Sequence, residues 1–263
     1  MPLISPKLTS AKNPFLESVR RAARAGRPVE DGSLVIEGPH LVAEAIGAAC
    51  RIQRIVTTAA GRERYAPLLG QSEAPITEVS ARAFSATAST ETAQEILALV
   101  RWHASSWPKL AGPRALVVAL DGVQDPGNAG TIIRSAEAFG ASGVALLEGS
   151  VRVANGKFLR ATAGSIFRLP VLEHVARAEF LDQARSLGLL LYALGARTGK
   201  SLGDADLRSP CALVVGAEGS GVSAELLEAA HTVSIPARKV ESLNAAVACS
   251  VALFEAARQR EGQ

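Results

Sequence analysis

Three stretches of the chain join small, turn-forming residues to groups able to do chemistry: DPGNAGTIIR (125–134), GAEGSG (216–221) and IPARKVESLN (235–244). The first sets Asn128 at the start of a helix-forming run and Arg134 inside it. Such a turn can cradle phosphate, because backbone N–H groups at a helix N-terminus favour an anion. It can also be a plain turn with Asn128 as helix cap, just as Ser242 can cap a helix after the third stretch. A dinucleotide fingerprint is not met: GxGxxG is absent, and only Glu148 stands near the place of a ribose anchor. No GK[ST] follows, so it is not a Walker loop either.

The elements that must position these loops alternate between strand and helix. RALVVALDGV (114–123) is a near-continuous apolar run, the mark of a strand buried on both faces of a parallel sheet. A helix follows over 128–139. GVALLEG (143–149), LGLLLYALG (187–195), CALVVGAEG (211–219) and the short HTVSIP (231–236) read as further strands, with helical stretches between. A last helix over 242–260 carries Leu243, Val247, Val251 and Phe254 at helical spacing. The pattern predicts a doubly wound α/β domain with helices on both faces, and ligands beyond the carboxyl ends of its strands.

WHASSWPKLAGP (102–113) interrupts the alternation with two tryptophans, two prolines and a glycine. It divides the chain into an N-terminal domain (1–104), a linker (105–113) and a C-terminal domain (114–263). In the first domain, helices are expected over 15–25 and 39–49, strands over 32–38 and 51–58, and a helix near 91–101.

Of 263 residues, 48% are hydrophobic and 20% charged, the balance of a globular protein able to bury a core. The net charge of +3 hides two basic stretches. Lys7, Lys12, Arg20, Arg21, Arg24 and Arg27 face only Glu17 in the first 27 residues, and Arg152, Lys157, Arg160 and Arg168 face no acid over 151–168. That distribution suits a polyanionic partner, with a solvated surface as the alternative. Three dispersed cysteines (Cys50, Cys211, Cys249) predict reduced thiols, and four scattered histidines offer no metal-ligand spacing. No signal-like or membrane-spanning apolar run is present, so a cytoplasmic protein with neither membrane nor metal partner is expected.

Order and combination narrow the choice. NAGTIIR (128–134), VVGAEGSGVS (214–223) and IPARKVESLNAAVA (235–248) resemble the three motifs of the SpoU/TrmH family, RNA ribose 2′-O-methyltransferases of the SPOUT superfamily. RATAGSIFRLPV (160–171) resembles the family's linking stretch, and the likeness covers nearly all of 114–258. SAKNPFLESVRRAARAGRP and LVIEGPHLVAEAI look like the substrate-binding domain often fused ahead of it. The resemblance implies an α/β fold: a parallel sheet with helices on both faces and a C-terminal trefoil knot. Ahead of it would stand a small ribosomal-protein-like RNA-binding domain.

It also implies S-adenosylmethionine as cofactor, ribosomal RNA before transfer RNA as substrate, and a homodimer. Carried over residue by residue, the catalytic set is Asn128, Arg134, Glu218, Ser242 and Asn244. Glu218 would orient Arg134 or Asn128, and Ser242 and Asn244 would approach Arg134. The cofactor would be held by backbone at Leu194, Gly195, Val215, Gly216, Ile235 and Leu243. Arg134 stands where the family places its proposed general base. A guanidinium with a pKa above about 12 accepts protons poorly, so a bidentate phosphate clamp is the easier role. Lys7, Lys12, Arg20, Arg21, Arg24, Arg152, Lys157 and Arg160 would hold RNA phosphates.

Two departures stand out: Ala237-Arg238-Lys239 replaces the family's Met-Gly after Ile-Pro, and Ala217 replaces a frequent Asn before the glutamate. A shorter third loop could turn Arg238 and Lys239 towards RNA. A non-catalytic RNA-binding relative and a nucleotide-dependent metabolic enzyme are the alternatives.

Overall fold

The computed structural model describes residues 4–90, 92–195, 199–237, 239–240 and 242–261. The chain divides into two compact units, the first reaching His103 and also holding Arg152–Phe167, the second made of Ala104–Val151 and the chain from Arg168 onwards.

Unit 1 opens with β1 (Ile4–Leu8) and α1 (Pro14–Ala25). Asn13 caps α1 by accepting the Phe15 N–H, Pro14 supplies a preset φ, and Gly26 ends the helix in the left-handed region. β2 (Ser33–Glu37), α2 (Pro39–Gly47), β3 (Ile52–Thr58), α3 (Ala59–Arg64), α4 (Ala66–Leu69), β4 (Ile76–Val79), α5 (Ala81–Thr87) and β5 (Ile96–Arg101) follow. The sheet order is β1-β4-β3-β5-β2, with β5 antiparallel to both neighbours and the other pairs parallel. Leu16 and Val19 of α1 pack with Phe84 of α5 on Val56 and Leu97.

The helix expected near 91–101 is therefore the strand β5. Ile96–Val100 is buried throughout and paired on both edges. A short apolar run buried on all sides has no period to tell strand from helix.

Unit 2 begins with β6 (Leu116–Asp121), α6 (Pro126–Ala138) and β7 (Gly143–Leu147). The chain then enters unit 1 for α7 (Gly156–Ala161), whose Phe158 and Leu159 are buried. It returns for β8 (Val171–Val175), α8 (Arg177–Ser186), β9 (Leu190–Gly195), β10 (Lys200–Ser201), β11 (Cys211–Gly216), α9 (Ala224–Ala229), β12 (His231–Ser234) and α10 (Ala245–Arg260). The sheet runs β10-β12-β9-β11-β6-β7-β8 and every pair is parallel. On one face Val117, Ala119, Ala212 and Val214 pack with Phe180 and Ala184 of α8 and Leu226 of α9. Alternation sends Leu116, Val118, Leu213 and Val215 to the other face, where α6 and α10 lie together. The doubly wound sheet is as expected.

Two boundaries differ from the composition-based division. Residues 105–113 belong to unit 2: Leu110 is fully buried there and the Trp107 ring packs, tilted by 45°, with its centroid 6.1 Å from that of Phe180. The stretch 152–167 joins unit 1 because Phe158 and Leu159 find their cover there, a pairing distant in sequence. Cys211 and Cys249 are buried, and loss of water pushes their thiols up to about 11 and about 12.

Candidate active site

In unit 2 the strand order reverses between β6 and β11, and the glycine-rich loops leave the carboxyl ends at that switch point. The DPGNAG turn is capped by Asp125, whose Oδ1 accepts the Asn128 N–H at 2.7 Å, with Pro126 in the first helical turn. Asn128 is thus not the cap, and its side chain is released for other partners.

Those partners come from the other two loops. Asn128 Nδ2 donates to Glu218 Oε1 at 2.6 Å. Asn244 Nδ2 donates both to Asn128 Oδ1 (3.0 Å) and to Glu218 Oε1 (2.9 Å). Asn244 Oδ1 accepts the Ala246 and Val247 N–H groups, so Asn244 and not Ser242 caps α10. Three loops far apart in sequence are tied by a closed triangle of side chains.

Beside this triangle lies a cleft of about 580 Å³. Leu194, Gly195, Val215, Gly216, Ile235 and Leu243 all line it, together with Ser242, Asn244 and Glu218. Its walls are glycine, apolar side chains and strand-end backbone, and Glu218 is the one charged residue among the described lining. A Cβ on Gly216 would stand 2.1–2.3 Å from the backbone of Gly221 and Val222, so only glycine lets the loop fold back. Gly221 N–H then closes that loop on the Ala217 carbonyl at 2.9 Å.

Arg134 stands apart. It is exposed and has no hydrogen-bond or ion-pair partner among the described residues. Six residues after Asn128, it lies about 9 Å along α6 and some 240° around it. Glu218 therefore orients Asn128 rather than Arg134, and neither Ser242 nor Asn244 bonds to Arg134. Lys239 is exposed, and Arg238 lies outside the described residues.

The basic residues sort by partner. Lys7 is paired with Glu78 at 3.3 Å, which Arg62 also approaches, and Arg20 lies 3.6 Å from Glu17. Lys12, Arg21, Arg24, Arg152, Lys157 and Arg160 are exposed with no acidic partner among the described residues. Within unit 1 the two stretches meet: a Cβ on Gly26, at the end of α1, would stand 3.5 Å from Cα of Asn155, the cap of α7. Arg168 is not part of this surface, being in unit 2 and bonded to Glu137.

One polar constellation escaped sequence reasoning. Asp121, at the end of β6, is buried and accepts from Arg177 Nε (2.7 Å) and from the Ser223 N–H (2.7 Å). The only signal for it is a carboxylate closing an otherwise apolar strand.

No helix of the described residues is long and apolar enough to cross a membrane, and none of their His, Cys, Asp and Glu side chains group as a metal site would require.

Residues 115–254 match the family model described as the SpoU rRNA Methylase family, and residues 21–98 match that of the MRM3-like substrate binding domain. The chain is 33% identical over 250 residues to the 23S rRNA (guanosine(2553)-2′-O)-methyltransferase RlmP of Bacillus subtilis, covering 94% of this chain and 98% of that one. The AdoMet-bound rRNA methyltransferase of Sinorhizobium meliloti has a TM-score of 0.84 at 29% identity, over 97% of this chain and 98% of the other. The SpoU methyltransferase AviRb of Streptomyces viridochromogenes, in complex with AdoMet, has a TM-score of 0.82 at 25% identity, over 95% and 100%. The motifs, the parallel sheet that carries them and these likenesses agree: the chain belongs to the SpoU rRNA methylase family.

Proposed function

We propose that this protein is an S-adenosylmethionine-dependent methyltransferase acting on the ribose 2′-hydroxyl of a guanosine in ribosomal RNA. The observation that carries this is the Asn128–Glu218–Asn244 triangle closing three loops beside a cleft lined by all six expected cofactor residues. The names of the relatives support the substrate, and the guanosine of RlmP supports the nucleotide.

The cleft fits the cofactor. It offers main-chain groups at three strand ends, an apolar floor, and one carboxylate, Glu218, whose sign suits a sulfonium. Leu194, Gly195, Val215, Gly216, Ile235 and Leu243 hold the cofactor. When bound, it supplies an electrophilic methyl group. The triangle fixes the relative positions of the loops before substrate arrives, so that little ordering is left for the reaction itself. Arg134, with its donors unspent, clamps the phosphate beside the target ribose and keeps the hydroxyl in line. Ser242 closes the cleft edge.

Unit 1 is the RNA-holding part. The joined surface of Arg21, Arg24, Arg152, Lys157 and Arg160, with Lys12 near it in sequence, tracks phosphates, so binding weakens steeply with salt. Lys7 and Arg20, already paired with acids, contribute less. We take the active protein to be a cytoplasmic homodimer with its C-terminal segment threaded as a trefoil knot. Support for the dimer is the stripe Val247, Val251 and Phe254 on α10, which is 49%, 37% and 55% exposed. A two-fold partner presenting the same stripe would cover it.

The test is methyl transfer from labelled S-adenosylmethionine to unmethylated ribosomal and transfer RNA. Label is expected in the ribosomal fraction, at the 2′-position. Arg134→Ala should lower transfer at least about a hundredfold while leaving the cofactor dissociation constant within about twofold. Loss of cofactor binding in that variant would refute the clamp.

A further inference from the structure

We propose that a second cleft of unit 2 is the pocket for the target base, and that Arg177, pinned by Asp121, reads guanine in it. This rests on the assignment of guanosine methylation above and names the residues that select the nucleotide.

The cleft measures about 560 Å³ and shares the 217–221 loop as a wall with the cofactor cleft. Asp121, Asp125, Asn128, Arg177, Glu218 and Ser223 give it its polar character. Asp121 is only 2% exposed, and its Oδ1 takes both Nε and Nη2 of Arg177 at 2.7 Å. Its Oδ2 takes the Ser223 N–H, so this carboxylate ties the first residue of α8 to the loop after β11. Arg177 is one-third exposed, and its remaining N–H groups have no partner among the described residues. The Ser223 hydroxyl is buried and also lacks a partner among the described residues. A guanidinium locked on one side and unsatisfied on the other is a preset donor for a ligand's acceptor edge.

Charge tells what that ligand is. Asp121 offsets Arg177, which leaves Asp125 and Glu218 and makes the cleft negative. A phosphate is repelled there. A neutral group with N–H donors beside a carbonyl is favoured, because Asp125 Oδ2 and Glu218 Oε2 have no partner among the described residues and can each accept. Guanine has that layout: O6 and N7 accept from an arginine, while N1–H and N2–H donate to a carboxylate. Bases of single-stranded RNA are read on such edges, and enzymes that modify nucleotides turn them out into pockets of this kind.

The experiment compares two transcripts, one with guanosine at the mapped methylation site and one with adenosine. Wild type should prefer guanosine. Arg177→Lys retains a cation for Asp121 and so guards against misfolding; Arg177→Gln removes the charge. Both should bind S-adenosylmethionine as wild type does. On the guanosine transcript kcat/KM should fall between roughly tenfold and a hundredfold, the discrimination one arginine–base pair carries. On the adenosine transcript it should barely change, so that the preference shrinks. Equal loss on both transcripts, wild-type preference in both variants, or lost cofactor binding in both would overturn the base-reading role. A wild type that binds the cofactor but methylates neither transcript nor ribosomal RNA would instead overturn the function on which the subsite rests.

Discussion

The two ends of α10 make opposite use of polar groups. At its last turn Arg260 is buried and donates to the carbonyls of Leu207, Arg114, Ala115 and Ser209, with Cys211 Sγ at 3.5 Å. Arg114 returns a bond to the Arg260 carbonyl, and Gln259 holds Leu207 N–H and the Ala205 carbonyl. Every guanidinium nitrogen has a partner. Some 24 Å away, Asn244 is equally saturated, but among the described residues Asn128 keeps one N–H and Glu218 one oxygen unspent. The first cluster lies at the amino ends of β6 and β11, the second at their carboxyl ends. A closed cluster holds the fold together; one with spare valences is ready for a ligand.

The largest effect should come from breaking the closed end. Arg260→Ala leaves several buried carbonyls unpaired and should cost about 4 kcal/mol, near 10 °C in Tm for a chain this size. Methyl transfer per folded molecule should be unchanged. A large loss of turnover with little change in melting would reverse the roles of the two ends.

Next in size is Asn244→Asp. The aspartate still caps α10, so Tm should move by no more than about 3 °C. Both Nδ2 bonds vanish, however, and a second carboxylate faces Glu218. Transfer should fall by about a hundredfold. Wild-type turnover in this variant would show that the triangle is only a cap.

The smallest effect belongs to Glu255, which bonds Arg258 and Gln259 at the closed end. The Arg258 guanidinium holds its carboxyl down at about 2, against an ordinary value of 4.5. The native state thus binds this proton less readily than the unfolded chain. The stabilisation is present above about pH 4.5 and is lost as the pH falls towards 2. Glu255→Gln should remove that slope and shift Tm at neutral pH by about 2 °C. Melting curves between pH 3 and 7 measure both.

Much of the open end was legible in the sequence because its loops are short motifs beside apolar strands. Taken in order, those motifs resemble the family's, and that resemblance is what singled out Asn128, Glu218, Asn244 and the six residues that line the cleft. The caps were not. Asp125 and Asn244 outcompete Asn128 and Ser242, since the choice depends on which side chain reaches a backbone N–H once the helix has started. The Asp121–Arg177 pair spans 56 residues, and nothing local announces it. β5 was misread for lack of period, and the arginine clamp around Arg260 links residues 146 positions apart. What depends on neighbours in space, rather than in sequence, stayed hidden.

The insertion of 152–167 into unit 1 governs how the protein can be taken apart. The chain crosses between the units three times, after His103, after Val151 and after Phe167. A fragment ending at residue 104 therefore lacks α7 and bares the apolar surface that Phe158 and Leu159 cover, while a fragment starting at 114 carries both side chains with nothing to bury them. Genetic dissection at the tryptophan-rich boundary yields two sticky halves. Rejoining the first 103 residues to 152–167 through a designed loop, and joining 151 to 168 through a crossover linker that runs from the carboxyl end of β7 back to the amino end of the parallel β8, is the cut that respects the packing.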